Sequence, residues 1–315
     1  MIEDINLVNP YLKERFGKKI YKLSINGGMS CPNRDGKLGT GGCVFCSEGG
    51  SGDFAADVCL SVEEQIEQAK KLVAKKLPKN EKVGYIAYFQ AFTNTYAPVG
   101  YLEKIFTAAI TAEQVEAISI ATRPDCLEDD KIQLLSRLNK IKPVFVELGF
   151  QTADEEIAAF IRRGYENKIF DEAVKKLHDE GLEVIVHLIV GLPVPGVAAK
   201  GQKAAMRETF LKSVVYINRL PVNGVKFQLL HVLKNTDLAE YYADGMFDTL
   251  TMDEYIEMLF MGISRLKKEV VIHRMTGDGP KTLLIAPLWS GNKRMVLNTI
   301  NRRIREENVV QGEEC

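Results

Sequence analysis

Short apolar runs of strand length alternate with amphipathic segments of helix length along most of this chain, and that alternation restricts its fold more than any other feature. The apolar runs cover residues 19–26, 83–89, 115–121, 144–150, 182–190 and 225–230. Segments with apolar residues every three to four positions lie between them, near 99–112, 127–140, 154–162, 167–180 and 202–219, and another covers 252–268. Ser61 precedes Glu63, Glu64 and an apolar stripe at Ile66, Ala69, Leu72 and Val73. A capping side chain, an acidic first turn and a helical period predict a helix from there to about Leu77, ahead of Pro78. Strands this uniformly apolar need cover on both faces, so the pattern predicts an α/β fold with a parallel sheet wrapped in helices. Six strand–helix units fall short of the eight in a closed barrel, and a partial (β/α)6 barrel is the expected architecture.

The flanks depart from this rhythm. Residues 9–17 predict a lead-in helix or turn ended by Gly17. Past residue 269, segments 270–274 and 282–286 read as extra strands, 293–305 as a basic helix, and the tail beyond Val310 as frayed. The expected organisation is a core over 1–269 and a short C-terminal α/β extension over 270–315 that faces the substrate.

With 46% hydrophobic and 26% charged residues, the 315-residue chain has the apolar material for one large core. A net charge of -1 excludes a uniformly basic nucleic-acid binder and leaves room for a local basic patch. The first residues are neither basic nor apolar enough for a signal peptide, and no uncharged apolar run is long enough to span a bilayer, so a cytoplasmic protein without a membrane partner is expected. Disulfides are rare in that compartment. The six cysteines, at 31, 43, 46, 59, 126 and 315, therefore point to metal or cluster chemistry for some and packing for the rest.

Cys31, Cys43 and Cys46 share one glycine-rich loop directly after the first strand. Three thiolates can hold a four-iron cluster and leave one iron open to a chelating small molecule. The same loop with Cys59 added would make a four-thiolate zinc site, and both readings stay open at this point. Cys126 and Cys315 are isolated and read as ordinary packing residues.

The three-cysteine loop on a six-unit scaffold resembles the radical S-adenosylmethionine (radical SAM) superfamily, whose partial (β/α)6 barrel, TIM-barrel-like, cleaves that cofactor at a [4Fe-4S] cluster. The usual loop places three residues between the first two cysteines; this chain has eleven, then two, with the aromatic Phe45 just before the last cysteine. The long loop with CPNRDG at 31–36, TNTY at 93–96, TRPD at 122–125, ELGFQT at 147–152, HLIVGLP at 187–193 and HRMTGDGPKTLLIAPLW at 273–289 is similar to the YhcC/YtqA-type family (MnmL-like), a branch linked to tRNA wobble-uridine modification.

That resemblance implies cluster ligation by Cys31, Cys43 and Cys46 and S-adenosyl-L-methionine contacts from Phe45, Gln90, Gln151, Arg163 and His187. Gln151 and Arg163 stand where relatives contact the nucleoside and the carboxylate of the cofactor, Gln90 where strand-end carbonyls bind its amino group, and His187 near the ribose. Where many relatives continue Gly-Glu after Gly191-Leu192-Pro193, this chain has Val194-Pro195-Gly196. The implied reaction proceeds through a 5′-deoxyadenosyl radical and converts a 5-carboxymethylaminomethyl uridine to the 5-aminomethyl form. The implied partners are a tRNA anticodon stem-loop and an electron donor such as flavodoxin or ferredoxin. Two other readings stand beside it: a radical enzyme acting on a small molecule or peptide, and a non-catalytic zinc-binding protein.

In a parallel βα sheet all strand ends of one sense meet at one mouth. Cys31, Gln90, the TRPD segment, Gln151, Gly191 and Gln228 follow or close strands and are expected to converge there. Tyr88, Phe89, Phe92 and Tyr96 would either dry the site or pack the barrel top. Trp289 with Lys281, Lys293, Arg294, Arg302, Arg303 and Arg305 would either stack a base and grip phosphates or form a solvated face.

Overall fold

A computed structural model describes residues 4–50, 57–74, 77, 82–277 and 279–315. Residues 1–3, residues 75–76 of the expected first helix, and Asp278 of the C-terminal motif lie outside them. The chain runs α1 (Val8–Phe16), β1 (Lys19–Ile25), α2 (Val62–Ala74), β2 (Val83–Phe89), α3 (Val99–Thr111), β3 (Val115–Thr122), α4 (Asp129–Asn139), β4 (Val144–Gln151), α5 (Glu155–Phe160), α6 (Asn167–Asp179) and β5 (Glu183–Val190). It continues through α7 (Ala199–Ile217), β6 (Gly224–Leu229), β7 (Val232–Leu233), α8 (Asp237–Ala243), α9 (Met252–Arg265), β8 (Val271–Arg274), β9 (Leu284–Ala286) and α10 (Lys293–Glu306).

Local chemistry sets the boundaries. Ser61 caps α2 in a reciprocal pair with Glu64, whose amide donates to Ser61 Oγ while its carboxylate accepts from the Ser61 amide. Thr251 and Glu254 make the same box at α9, and Asp154 caps α5 by accepting from the Glu156 and Ile157 amides. Gly17 ends α1 with φ of 65°, a left-handed turn that a Cβ would strain.

Seven strands form one curled sheet in the order β1-β2-β3-β4-β5-β6-β8, every neighbouring pair parallel. The seventh strand, β8, comes from beyond residue 269, while β7 and β9 make a separate antiparallel pair. Leu7 bridges to Ile272 of β8, and the Ile272 amide donates to Asn6 O at 2.7 Å. The chain therefore enters α1 from the last strand and leaves it into the first, so α1 crosses the base of the half-barrel from edge to edge. Leu12 packs there with the inward residues Ile86, Ala117, Phe145 and Ile185, an apolar plug under the interior.

The helices cover the other face. Phe106 of α3 meets Phe89 edge-on at 5.0 Å, and Phe170 of α6 stacks on Phe150 at 4.0 Å. The tail beyond Val310, expected to fray, is instead pinned. Gln311 is 1% exposed; its amide oxygen accepts from the Asn6 amide at 2.9 Å and its nitrogen donates to the carbonyls of Lys267 and Val270 at 2.7 and 2.8 Å. Gly312 and Glu314 donate to Ile263 and Ser264, so backbone pairing holds the rest. Among the described residues no helix is long and apolar enough to cross a membrane.

Candidate active site

A cavity of about 530 Å3 opens at the C-terminal ends of the strands, within the usual size range of small-ligand sites. Cys31, Cys43 and Cys46 line one wall. The eleven residues between the first two do not lie extended along it. Gly42 N donates to Asn33 O at 2.8 Å, closing residues 34–41 into a side excursion, and Leu38 N donates back to Pro32 O at 2.8 Å. Across that closure the backbone passes from Cys31 to Cys43 through Pro32, Asn33 and Gly42, three residues. The Asn33 amide then ties the loop down, donating to Arg162 O at 2.7 Å and to Cys43 Sγ at 3.4 Å.

The thiols sit in a polarising pocket. A hydrogen bond from Cys46 holds the Cys43 thiol down to about 6 against the effect of burial, helped by Asn33, Arg123 and Arg34. Cys46, the donor in that pair and buried, is pushed up. Arg34 donates to the carbonyls of Cys46 and Ser47 at 3.2 and 2.6 Å and lies over the Phe92 ring at 5.6 Å. Cys59 is exposed on the 57–60 turn and takes no part in the cavity wall, and among the described residues no three His, Cys, Asp or Glu side chains converge on a single metal ion. Cys126 is buried and pushed up to about 12 by that burial, an unreactive packing thiol.

Phe45, Gln90, Gln151, Arg163 and His187 all reach the same cavity. Gln90 follows β2, and Gln151 ends β4 with φ of 65° beside a register shift in the β4–β5 pairing. A left-handed glutamine is a strained placement that side-chain position must repay. Its Oε1 is buried without a hydrogen-bond partner, an acceptor that a ligand in the cavity would satisfy. Arg163 gives all five of its N–H groups to the protein: Tyr165 O, Phe150 O, Thr152 O, Glu155 and Asn167, at 2.8 to 3.3 Å. It is 1% exposed, and it braces the turn that carries Gln151. Thr122, Arg123 and Gln228 also line the cavity, whereas Gly191 packs against Leu250 outside that wall.

Beneath the thiols lies a layer for which the sequence offers little warning. Lys22, Tyr88, Ser119, Glu147, His187, Lys226 and Arg274 are contributed one by each strand of the sheet. Glu147, fully buried, is its hub. Its Oε1 accepts from Lys22 Nζ at 2.9 Å and Ser119 Oγ at 2.6 Å, and its Oε2 from His187 Nε2 at 2.8 Å and from Lys226 Nζ. Burial pushes the carboxyl up, yet Lys22, Lys226 and the His187 hydrogen bond outweigh it and hold Glu147 well below the usual carboxylate range. Burial and the Lys226 charge bring His187 down to about 4 despite Glu147. The neutral ring then donates from Nε2 to Glu147 and accepts at Nδ1 from Gln228 Nε2 at 3.1 Å, which fixes its tautomer. Of this layer the sequence marks only His187 as a cofactor-site residue; charged residues inside strands carry no local signal that separates a buried hub from a solvated edge.

Two of the C-terminal cations are paired with neighbouring acids. Arg302 pairs with Glu306 at 2.7 Å, and Arg303 pairs with Glu307 and Asp253 while covering Phe260. Trp289, read from the sequence either as a base-stacking residue or as part of a solvated face, is half-buried, donates from Nε1 to Leu250 O at 3.0 Å and packs on Tyr255 at 5.7 Å. Its donor is directed into the protein, so it acts as a packing residue. Of the four aromatics, Tyr88 and Phe92 line the cavity wall, whereas Phe89 is buried under α3 against Phe106 and Tyr96 lies off the wall.

Comparison with known proteins follows the same lines. Residues 35–195 match the model of the Radical SAM superfamily and residues 222–306 that of the Radical_SAM C-terminal domain. YtqA of Bacillus subtilis is 39% identical over 97% of this chain and 91% of its own, and YhcC of Escherichia coli K12 is 31% identical over 97% and 94%. A tRNA uridine(34) acetyltransferase of Methanocaldococcus jannaschii is 25% identical over 92% of this chain and 58% of its own length. The solved structure of an N-terminally truncated Elp3 from Methanocaldococcus infernus superposes with a TM-score of 0.65 at 19% identity, over 93% of this chain and 64% of that one, which shows a shared fold. Matched by the superfamily model over half its length and by relatives from end to end, the chain belongs to the radical S-adenosylmethionine superfamily and, within it, to the YhcC/YtqA-type family.

Proposed function

We propose that this radical SAM enzyme acts on the wobble uridine of tRNA, shortening a 5-carboxymethylaminomethyl side chain to 5-aminomethyl, with a flavodoxin- or ferredoxin-type electron donor in the cytoplasm. The observation that carries the reading is the match of 92% of the chain, at 25% identity, to a protein named for chemistry at uridine 34 of tRNA. An open groove on α10, lined by Asn292, Arg294, Asn298 and Arg302, offers a polar surface suited to a nucleic-acid backbone.

The residues present fit the superfamily's cofactors. Three thiols on one wall, one of them held down to about 6, are a soft donor set for a [4Fe-4S] cluster, and the partnerless Gln151 Oε1 suits a donor group on S-adenosylmethionine. When bound, cluster and S-adenosylmethionine supply hydrogen-abstracting radical chemistry. In this reading Cys31, Cys43 and Cys46 hold the cluster, Phe45 and Gln90 form the adjoining wall, Gln151 orients the nucleoside, Arg163 keeps Gln151 in place, and His187 holds Gln228 toward the cavity. The glycine-like methylene of the side chain is the position whose hydrogen would be removed; with S-adenosylmethionine as the two-electron acceptor and water as co-reactant, the N–C bond would break and the two-carbon unit would leave as glyoxylate.

Mass spectrometry of tRNA nucleosides from a deletion strain tests this. The 5-carboxymethylaminomethyl uridine should accumulate, the aminomethyl form should disappear, and the gene should restore it whereas a Cys43→Ala variant should not. An unchanged nucleoside profile overturns the tRNA reading.

A further inference from the structure

Asn33 serves the thiol wall twice. Its backbone carbonyl closes the side excursion by accepting from Gly42 N at 2.8 Å, so its side chain is fixed at the point of closure. That side chain is buried, and its amide nitrogen carries two hydrogens. One goes to Arg162 O at 2.7 Å and the other to Cys43 Sγ at 3.4 Å. The Arg162 oxygen also stands 3.6 Å from that sulfur. Once the thiol proton is gone, oxygen and thiolate would face each other with lone pairs only, and the Asn33 amide is the donor that bridges them.

Arg34, the next residue, holds a full charge beside the same loop. Its guanidinium lies against the backbone of Gly42, where a Cβ would come within 2.9 Å of Nε and 3.2 Å of Cζ. Glycine directly before Cys43 is what lets it approach. From there Nη2 donates to Cys46 O and Ser47 O at 3.2 and 2.6 Å. Main-chain atoms next to Cys43 and at Cys46 thus fix the position of the cation, and Arg34 lines the cavity together with the three thiols.

Reducing an iron–sulfur cluster adds a negative charge that spreads onto its thiolate sulfurs. A hydrogen bond to one sulfur and a cation fixed beside the loop stabilise the reduced form more than the oxidised one. We propose that Asn33 and Arg34 raise the reduction potential of the cluster held by the thiols, Asn33 through its N–H···S bond and Arg34 through its charge, so that a flavodoxin- or ferredoxin-type donor can supply the one electron the cluster takes up. The inference rests on cluster ligation by Cys31, Cys43 and Cys46 as proposed above and is independent of the tRNA substrate.

The test is an anaerobic redox titration of the reconstituted enzyme, with the reduced cluster followed by electron paramagnetic resonance. At the potential where half of the wild-type cluster is reduced, the ratio of reduced to oxidised cluster should fall by about threefold or more in Asn33→Ala. It should fall further in Asn33→Asp, which puts an anion where the donor was. Arg34→Gln should lower the ratio as well, whereas Arg34→Lys, which keeps the charge, should stay near the wild type. A pocket that had only loosened would not rank the substitutions by charge. A wild-type ratio in Asn33→Ala or in Arg34→Gln, at wild-type iron content, overturns the role of that residue. Resonance Raman spectra of the unaltered enzyme need no variant to fold: exchange into D2O should shift the Fe–S(Cys) bands, and bands indifferent to exchange overturn the N–H···S bond. A Cys43→Ala protein that still carries a full cluster overturns ligation by Cys43 and the tuning with it. Unchanged tRNA nucleosides in a deletion strain overturn the tRNA reading alone.

Discussion

Glu147 is the residue on which the interior depends, since it joins four strands through one carboxylate. Removing its charge leaves Lys226, 2% exposed, without an anion in a dry layer. Breaking a buried pair from one side typically costs about 3–5 kcal/mol, whereas replacing both partners by apolar groups of similar volume costs far less. Glu147→Gln should therefore lower the urea midpoint by an amount equivalent to about 3–5 kcal/mol, and the double variant Glu147→Leu, Lys226→Met should recover a large part of that loss. A double variant as unstable as the single one would show that the pairing is not what Glu147 contributes. The cysteines are legible in the sequence because three thiols crowded into one loop seldom serve packing alone. The hub is not, because Lys22, Glu147 and Lys226 are far apart along the chain and meet only after the sheet curls. The long cysteine spacing is legible as a departure, but its resolution depends on one backbone hydrogen bond, Gly42 to Asn33, that no spacing rule predicts.

Elements are legible where burial is two-sided. The run at 83–89 is β2 as it stands, and the other five strands shift by one residue or so at their ends, because continuous apolar sequence under helices leaves no other solution. Short elements escape: β7 has two residues, and α8 is a seven-residue helix after Thr236, whose hydroxyl accepts from the Ala239 amide. The order of the tail is hidden for a related reason, since it comes from distant partners instead of local periodicity. Gln311 joins the segment before α1, the turn after α9 and the start of β8 through one amide. Gln311→Ala would leave the Asn6 amide and the carbonyls of Lys267 and Val270 without that partner, at about 1–3 kcal/mol for a buried group so orphaned. Thermal unfolding should show the loss, and hydrogen exchange should speed up at Asn6. A variant with unaltered exchange there would mean the tail rests on the fold without holding it.

The molecule as a whole carries its charged layer inside, and the consequence below neutral pH is a stability that falls with pH. Burial lowers His187 to about 4 and places His273 and Lys226 well below their ordinary values, while Glu147 is held low by its lysine neighbours. All four bind protons more weakly folded than unfolded, so the unfolded chain takes up protons that the fold refuses, and stability falls as pH falls. For His187 the contribution is complete above its unfolded value near 6.5 and is lost progressively toward pH 4, about 3 kcal/mol by the usual conversion of pKa difference to free energy. His273, packed against Gly224 and Phe145 with Nδ1 lacking a partner, titrates in the same sense. Urea unfolding of cluster-free protein, which keeps acid loss of the cluster out of the measurement, should show the midpoint dropping steadily between pH 6.5 and 4.5. His187→Gln should flatten that slope by roughly the share of one histidine, because glutamine keeps hydrogen bonds to Glu147 and Gln228 without a proton to gain. A profile equally steep in the variant would mean that His187 titrates in the folded protein as it does in the unfolded one, and that the layer is wetter than its geometry requires.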